Sequence, residues 1–146
     1  MVKTVFHDDS FTTTEYDSFG NVIAETNQLG QTRTFEYDSH GRLTAVVLPE
    51  VYDPVSEELV APRYEYGYDT FGNQTLIRDP LGRETRFTYD SQGRQLTRTL
   101  PLGFGPDGIE GTSDDATLPE GDFTEHMQYD ALGRQTLAIS FEGVVT

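Results

Sequence analysis

The sequence contains no cysteine, which excludes disulfide bonds and thiolate chemistry. Basic residues are scarce, because 10 Lys and Arg stand against 25 Asp and Glu for a formal net charge of −15. Nucleic acids and anionic membranes bind clustered cations, so this charge argues against both as partners and favours solubility. No apolar run is long enough for membrane insertion, and residues 1–9 lack the apolar core of a signal peptide. If the parent protein is exported, we therefore expect this chain to be a piece excised from it.

Catalytic signatures are also lacking. The three histidines, His7, His40 and His126, show neither the spacing of metal ligands nor that of a nucleophile and its base. No window of the sequence has a convincing helical period. These absences favour a non-catalytic protein without helices.

The sequence does contain a repeated motif, Tyr-Asp-x-x-Gly followed by Arg or Asn. Its five copies begin at Tyr16, Tyr37, Tyr68, Tyr89 and Tyr129. Asp at the first and Gly at the fourth position are typical of a type I turn. The Asp carboxylate accepts a backbone N–H two residues on, and Gly supplies the positive φ of a bulged hairpin. The predicted structural turn residues are Asp17, Gly20, Asp38, Gly41, Asp69, Gly72, Asp90, Gly93, Asp130 and Gly133.

A second class of turn alternates with the first. Asn27-Gln28-Leu29-Gly30, Asp79-Pro80-Leu81-Gly82 and Ser140-Phe141-Glu142-Gly143 each begin ten residues after the Asp of a Tyr-Asp pair. Turns at this interval leave strands of about six residues, and short strands at such regular spacing are typical of all-β proteins. We therefore predict an antiparallel meander that forms an open, curved or solenoid-like sheet, with all Tyr-Asp turns along one edge. The single array of residues 1–146 has repeat cores near 16–36, 37–67, 68–88, 89–128 and 129–146.

The predicted strands alternate between two faces. In the strand that ends at Tyr37, Phe35 and Tyr37 share one face and Thr34 and Glu36 share the other. This pattern predicts one aromatic and one polar face. Tyr64, Tyr66 and Tyr68 form an aromatic row of the same kind, and such a row either stacks on a sugar or packs its rings within the sheet. Packing is the simpler interpretation.

Two loop insertions interrupt the 21-residue period, at about 49–62 and 104–122. Both open at the second class of turn. Insertions into repeat arrays often form the binding face. The alternative is that a surface loop grew at little cost, since closure entropy rises slowly with length.

The second insertion is rich in acidic residues and glycine. Ca²⁺ takes six to eight oxygen ligands, and Asp107, Glu110, Asp114 and Asp115 are the candidate calcium ligands. Their spacing does not match an EF-hand loop. A solvated acidic loop is the competing interpretation, so calcium is the sole cofactor candidate, and it is not certain.

These repeats resemble the RHS, or YD-repeat, family. The resemblance rests on the five Tyr-Asp copies and on the half-repeats 29–37 and 81–89. It implies a strand-turn-strand ribbon that, in long family members, coils into a β-shell around the toxic domain of bacterial polymorphic or insecticidal toxins. Related repeats occur in teneurin-type adhesion receptors. Family members that release their cargo carry an Asp-Pro-x-Gly cleavage sequence, but Asp79-Pro80-Leu81-Gly82 lies in phase with the turn at Asn27 and is predicted to be a turn.

The sequence thus predicts a non-catalytic structural segment, part of an RHS-type shell that encloses or presents a toxin, or of a surface adhesion protein. Its expected partners are further repeats of the parent chain, an enclosed toxin domain, or a second copy bound through open sheet edges. The location is expected to be secreted or at the cell surface. The alternative functions are a calcium- or carbohydrate-binding module displayed through the long loops, and a self-cleaving fragment.

Overall fold

The computed structural model describes residues 1–8, 10–100 and 124–139, and these form thirteen β-strands without a helix. The chain divides into two compact units, Met1–Tyr66 and Gly67–Thr146. Neighbouring strands within each unit pair antiparallel, so the predicted all-β class and meander are confirmed. Among the described residues, no helix is available that could span a membrane.

The first unit is a meander of consecutive strands with one additional hairpin. Its pairing order is β1-β2-β3-β4-β5-β8, and β6 and β7 pair only with each other. The strands are β1 (Val2–Val5), β2 (Phe11–Tyr16), β3 (Val22–Thr26), β4 (Thr32–Tyr37), β5 (Leu43–Val47), β6 (Val51–Asp53), β7 (Glu58–Val60) and β8 (Arg63–Tyr68), which ends just beyond the unit boundary.

The second unit is a five-stranded meander in sequence order. Strand β11 pairs directly with β12, although 24 residues separate them in sequence, from Leu100 to Phe123. The long insertion therefore leaves the order of strands unchanged. The strands are β9 (Gln74–Arg78), β10 (Glu84–Tyr89), β11 (Gln95–Thr99), β12 (Thr124–Tyr129) and β13 (Gln135–Ile139).

Strand register assigns the side chains to two faces. In the first unit, Phe35 pairs with Val46, and Val46 pairs with Tyr64, so these apolar residues share one face. The equivalent row of the second unit is less apolar. There, Phe87 pairs with Arg98, whose guanidinium binds Glu125 at 2.9 Å. The aromatic face predicted from sequence therefore contains an ion pair in the second unit.

Burial is shallow throughout the described residues, where Ala45 alone is fully buried. Ala45 lies between its strand neighbours Glu36 and Glu65. Arg63 binds both carboxylates: its two terminal nitrogens lie 2.6 and 2.8 Å from the Glu36 oxygens, and its Nε lies 3.1 Å from Glu65. A charged bridge thus joins the carboxylates on either side of the one buried methyl group, and most other strand residues are only half-buried.

The first predicted insertion contains a β-hairpin, β6–β7, which the sequence pattern did not reveal. The N–H of Leu48 donates to the Pro62 carbonyl at 2.8 Å and closes the base of the segment. Glu57 adopts a left-handed φ of 58°, a conformation that the repeat turns assign to Gly. This hairpin therefore departs from the turn chemistry of the repeats.

Candidate functional site: the Tyr-Asp turns

Each Tyr-Asp turn closes a hairpin with a bulge at its glycine. In the turn at Asp38, the Gly41 N–H donates to the Asp38 carbonyl at 3.0 Å, and the Asp38 N–H donates to the Arg42 carbonyl at 2.9 Å. Gly41 has a φ of 76°, which L-residues with a side chain rarely adopt. The other four turns have the same pair of bonds, so Asp and Gly are explained by hairpin closure alone.

The Asp carboxylate of each turn accepts three hydrogen bonds. Asp38 Oδ1 accepts the N–H groups of His40 and Arg42 at 2.8 and 3.0 Å, and Oδ2 accepts Arg42 Nε at 2.7 Å. Where Asn replaces Arg, its amide takes the same place, and Asn21 Nδ2 donates to Asp17 Oδ2 at 2.8 Å. Arg and Asn are thus alternative partners for one carboxylate oxygen.

These hydrogen bonds hold the turn carboxylates in their ionised form. The backbone N–H of Arg42 is the main cause that lowers the pKa of Asp38 to about 2, and the Arg42 side chain adds to it against the opposing effect of burial. The pKa values of Asp90 and Asp130 are lowered chiefly by the backbone N–H groups of Arg94 and Arg134. At neutral pH these carboxylates are charged acceptors rather than proton donors.

The second class of turn has the same geometry. Asn27 Oδ1 accepts the N–H groups of Leu29 and Gln31 at 2.9 and 3.0 Å. Asp79 accepts Leu81 N–H, Arg83 N–H and Arg83 Nε at 3.0, 3.0 and 2.6 Å. Burial acts to raise the pKa of Asp79, but the hydrogen bonds from Arg83 outweigh it and the pKa is lowered. Asp79 therefore closes a turn of the same kind as Asn27.

In three of the Tyr-Asp motifs, the tyrosine connects its repeat to the preceding one. The hydroxyl of Tyr89 donates to the Gln74 carbonyl at 2.8 Å, and that of Tyr129 donates to the Gln95 carbonyl at 2.9 Å. In the first unit, Tyr37 donates to the Val22 carbonyl at 2.9 Å. Each acceptor directly follows the Asn or Arg of the previous Tyr-Asp turn. These three bonds have one geometry, although the donor and acceptor lie 15, 34 and 15 residues apart.

Sequence reasoning assigned these tyrosines to packing and did not identify the carbonyls that their hydroxyls bind. The signal was present, because all five copies carry Tyr and none carries Phe. A phenylalanine would bury an equal ring, so a Tyr at every copy points to a role for the hydroxyl.

Successive Tyr-Asp turns of the second unit also contact one another. Arg94 Nη1 donates to the carbonyl of Asp130 at 3.3 Å, and the Arg94 guanidinium lies 4.8 Å from the centre of the Tyr129 ring. A Cβ built on Gly93 would lie 3.3 Å from Asn73 Oδ1. Asn73 and Arg94 therefore each serve two turns: each binds the Asp Oδ2 of its own turn and lies close to the next turn.

The candidate calcium ligands Asp107, Glu110, Asp114 and Asp115 lie outside the described residues. In the described part of the chain, no three acidic or histidine side chains gather in a way that could hold a metal ion. His40 lies in an exposed turn, where its Nδ1 is 3.4 Å from Ser39 Oγ. Within the same part, the turn carboxylates are occupied by the hydrogen bonds described above.

A shallow groove of about 900 Å³ lies between the first two Tyr-Asp turns. Phe19, Phe35, Tyr37 and His40 line it. Phe19 is 90% exposed, and Phe71 at the equivalent position of the third turn is 85% exposed. By contrast, Tyr64, Tyr66 and Tyr68 are half-buried in β8. The most exposed aromatic residues of the described chain therefore lie at the turns rather than in the predicted tyrosine row.

Comparisons with known proteins agree with the repeat geometry. Residues 16–50 and 68–104 match the RHS Repeat family model. The chain is 38% identical over 100 residues to toxin protein Tse5 of Pseudomonas aeruginosa, a match that covers 56% of this chain and 7% of that protein. It is 29% identical over 129 residues to double-stranded DNA deaminase toxin A of Burkholderia cenocepacia, across 63% of this chain and 9% of that protein.

Solved structures of toxin complexes also match the chain. A crystal structure of TcdB2-TccC3-TEV matches 91% of this chain and 9% of its own, with 18% identity and a TM-score of 0.36. A Photorhabdus luminescens Tc holotoxin pore gives the same coverage, with 17% identity and a TM-score of 0.35. The chain spans less than a tenth of the length of these relatives. On the matched repeats and the turn chemistry they encode, residues 16–50 and 68–104 of this chain are RHS repeats.

Proposed function

We propose that the chain is a non-catalytic structural segment that forms part of the wall of an RHS-type β-shell, which encloses or presents a toxin domain. The observation that carries the proposal is the tie between repeats, in which the hydroxyls of Tyr37, Tyr89 and Tyr129 each bind the carbonyl after the previous Tyr-Asp turn. Such ties join neighbours without a central core, which suits an extended wall. A surface adhesion protein built from the same repeats is the second form of this role.

The ionised, fully bonded turn carboxylates support a role without catalysis. Asp90, for example, accepts bonds from Gln92 N–H, Arg94 N–H and Arg94 Nε. A general acid or base must exchange protons near working pH, whereas a lowered pKa keeps this group charged. Intact mass should therefore stay constant during prolonged incubation at neutral and mildly acidic pH. A time-dependent cleavage at Asp79-Pro80 would contradict the proposal.

The enclosing role is tested in the parent protein by protease protection. With the repeats intact, a C-terminal toxin domain should resist a protease that digests it when it is expressed alone. Asp90→Ala together with Asp130→Ala should expose the domain, since both remove acceptors that close turns. Equal protection before and after the change would argue against a role in the wall. We further propose a secreted or cell-surface location, which fractionation of cells that produce the parent protein would test.

The alternative is a recognition module for glycans or calcium. The exposed Phe19 ring beside the groove favours a glycan, because aromatic rings stack on sugar faces. Glycan-array binding that Phe19→Ala abolishes would support this role. For calcium, titration calorimetry would compare the chain with a variant in which Asp107, Glu110, Asp114 and Asp115 are changed to Asn. If the unchanged chain gives no heat of binding at millimolar Ca²⁺, calcium binding is ruled out.

A further inference from the structure

The hairpin β6–β7 exposes apolar side chains and lies outside the repeat sheet. Tyr52 and Leu59 are opposite each other in the register, and they are 62% and 64% exposed. Val51 and Val60 form the adjacent pair, and Val55 in the turn is 92% exposed. A hairpin of two strands is marginally stable in water unless a third strand or another element covers it. Contiguous exposed apolar side chains of this kind are typical of interaction surfaces.

The charges of this hairpin are all of one sign. Asp53 lies directly opposite Glu58 on the partner strand, and like charges in that arrangement destabilise a strand pair. Residues 49–62 contain no Lys or Arg. The next basic residue, Arg63, is bound to carboxylates of the repeat sheet. The hairpin therefore has no cation of its own to offset its acidic pair.

The repeat strands place opposite charges across from each other instead. Glu25 lies opposite Arg33 and binds it at 2.5 Å. Arg78 lies opposite Glu84 and also binds it at 2.5 Å. In the hairpin, a second carboxylate takes the place of the arginine. A cation from a partner would complete the pair that the hairpin lacks.

The Asp53 carboxylate is held in a fixed position for such a contact. Its Oδ1 accepts the Val55 N–H and its Oδ2 accepts the Ser56 hydroxyl, both at 2.9 Å. These bonds lower the pKa of Asp53, first through the Val55 N–H and then through Ser56, so the group is charged at neutral pH. A fixed negative charge therefore lies beside an exposed apolar turn.

The backbone of the hairpin indicates the class of partner. Among the described strands, β6 and β7 pair only with each other. Each strand thus presents unpaired N–H and carbonyl groups along its outer edge, and an extended polypeptide can pair with such groups. Tyr52 and Leu59 share one face, whereas Asp53 and Glu58 share the other. A strand of alternating apolar and basic residues would match both faces at once.

We propose that β6–β7 is the docking surface for an extended, basic polypeptide segment of a partner protein. The segment adds a strand to the hairpin, its apolar side chains cover Tyr52 and Leu59, and its Lys or Arg side chains bind Asp53 and Glu58. A second copy of this chain fits poorly, because its hairpin is equally acidic and its net charge is −15. The insertion at 104–122 is also acidic and contains no Lys or Arg. The inference goes beyond the wall role, since the hairpin is not part of the repeat sheet.

The test uses two short fluorescent peptides, one of alternating Lys and Val and one of alternating Lys and Ser. Fluorescence anisotropy measures the binding of each peptide to the whole chain. Tyr52→Ser together with Leu59→Ser removes the apolar pair and keeps every charge. Leu29→Ser together with Leu81→Ser is the matched control, because these side chains are at least as exposed and lie in repeat turns. Circular dichroism verifies that each variant keeps its strands.

We expect the Lys-Val peptide to bind about tenfold more tightly than the Lys-Ser peptide. The changes at Tyr52 and Leu59 should remove this difference, whereas the control changes should preserve it. A difference that persists in the hairpin variant would overturn the proposal, because the apolar contact would then lie elsewhere. Equal binding of the two peptides to the unchanged chain would also overturn it, since net charge alone would then attract them.

A second variant tests the acidic pair. Glu58→Lys places a cation opposite Asp53, so it should raise the amide-exchange protection of the hairpin in the free chain and weaken Lys-Val binding several-fold. Glu15→Lys is the control, because it makes the same change of net charge in β2, and it should do neither. Equal weakening by the two variants would overturn the assignment of the basic side chains to the hairpin.

Light scattering of the chain alone tests the other occupant of this surface, a second copy. A monomer, or a dimer that the changes at Tyr52 and Leu59 leave intact, agrees with the proposal. A dimer that these changes dissociate would overturn the proposed partner in favour of self-association.

Discussion

Two turns of the second unit, at Asp79 and Asp90, are nearly identical in their internal bonds and differ in the residue that precedes them. Both carboxylates accept two backbone N–H groups and one arginine Nε. Before Asp79, Arg78 binds Glu84 on the adjacent strand at 2.5 Å. Before Asp90, Tyr89 binds the Gln74 carbonyl at 2.8 Å. The turn residues therefore close the hairpin, and the preceding residue decides whether it is tied to another repeat.

The largest effect is expected from removal of the turn carboxylate. Asp90→Ala and Asp79→Ala should each lower the melting temperature strongly and by similar amounts, because each deletes the acceptor of three hydrogen bonds. Thermal denaturation followed by circular dichroism measures both. Asp→Asn at the same positions is the control and should be mild, since Asn27 already closes a turn. An Asp90→Ala variant with an unchanged melting temperature would contradict the common role of the two carboxylates.

Glycine substitution should separate the two classes of turn. Gly82→Ala places a side chain at a φ of 81° in open space and should cost about 1 kcal/mol. Gly93→Ala should cost more, because the added Cβ lies 3.3 Å from Asn73 Oδ1. Urea denaturation gives both values. In an Asn73→Ala background, Gly93→Ala should cost no more than Gly82→Ala. If the additional cost persists, the contact between turns is not its cause.

Removal of one hydroxyl tests the tie between repeats directly. Tyr89→Phe should lower the free energy of unfolding by about 1 kcal/mol, since it deletes the bond to the Gln74 carbonyl and keeps the ring. Tyr16→Phe is the matched control, because no Tyr-Asp turn precedes Tyr16 in the chain and its side chain is 44% exposed. It should leave the unfolding curve unchanged. Equal effects at both positions would refute the tie as a specific feature.

The smallest effect is expected from acid titration of a single turn. The pKa of Asp38 is lowered from 3.8 to about 2, so its stabilising contribution is complete above pH 3.8 and disappears as the pH falls towards 2. The free energy of unfolding of Asp38→Asn should therefore decrease less with falling pH in that window than that of the unchanged protein. The reciprocal change, Asn27→Asp, should make this decrease larger. Urea denaturation between about pH 5 and pH 2 measures the free energy of unfolding of both variants. A pH dependence that neither variant alters would exclude a contribution of the turn carboxylate to acid stability.

Sequence reasoning predicted the turn chemistry well because that chemistry is local. The Asp carboxylate and its partners lie within four residues of one another, as the bonds from His40 and Arg42 to Asp38 illustrate. Strand length and alternation followed from the turn spacing. The β6–β7 hairpin was missed because Val51–Val60 carries no copy of the turn motif, and its left-handed position is Glu57 rather than Gly.

The candidate site was predicted less completely. Periodicity placed a tyrosine before each turn but did not identify the carbonyl that its hydroxyl reaches. The sequence likewise did not identify which neighbouring turn Arg94 contacts, because its partner Asp130 is 36 residues away, beyond the long insertion. The predicted calcium ligands, among them Asp107 and Glu110, lie outside the described residues and stay a prediction.

The sequence by itself determined where the chain turns, which residues close each turn and that the strands form an antiparallel meander. These features depend on Asp, Gly and their near neighbours, whose interactions span only a few residues. Only the tertiary structure decided which carbonyl each tyrosine binds, that Arg94 joins two turns, and that Ala45 is buried between Glu36 and Glu65. These contacts join residues far apart in sequence, and they exist only when neighbouring strands are already paired in register.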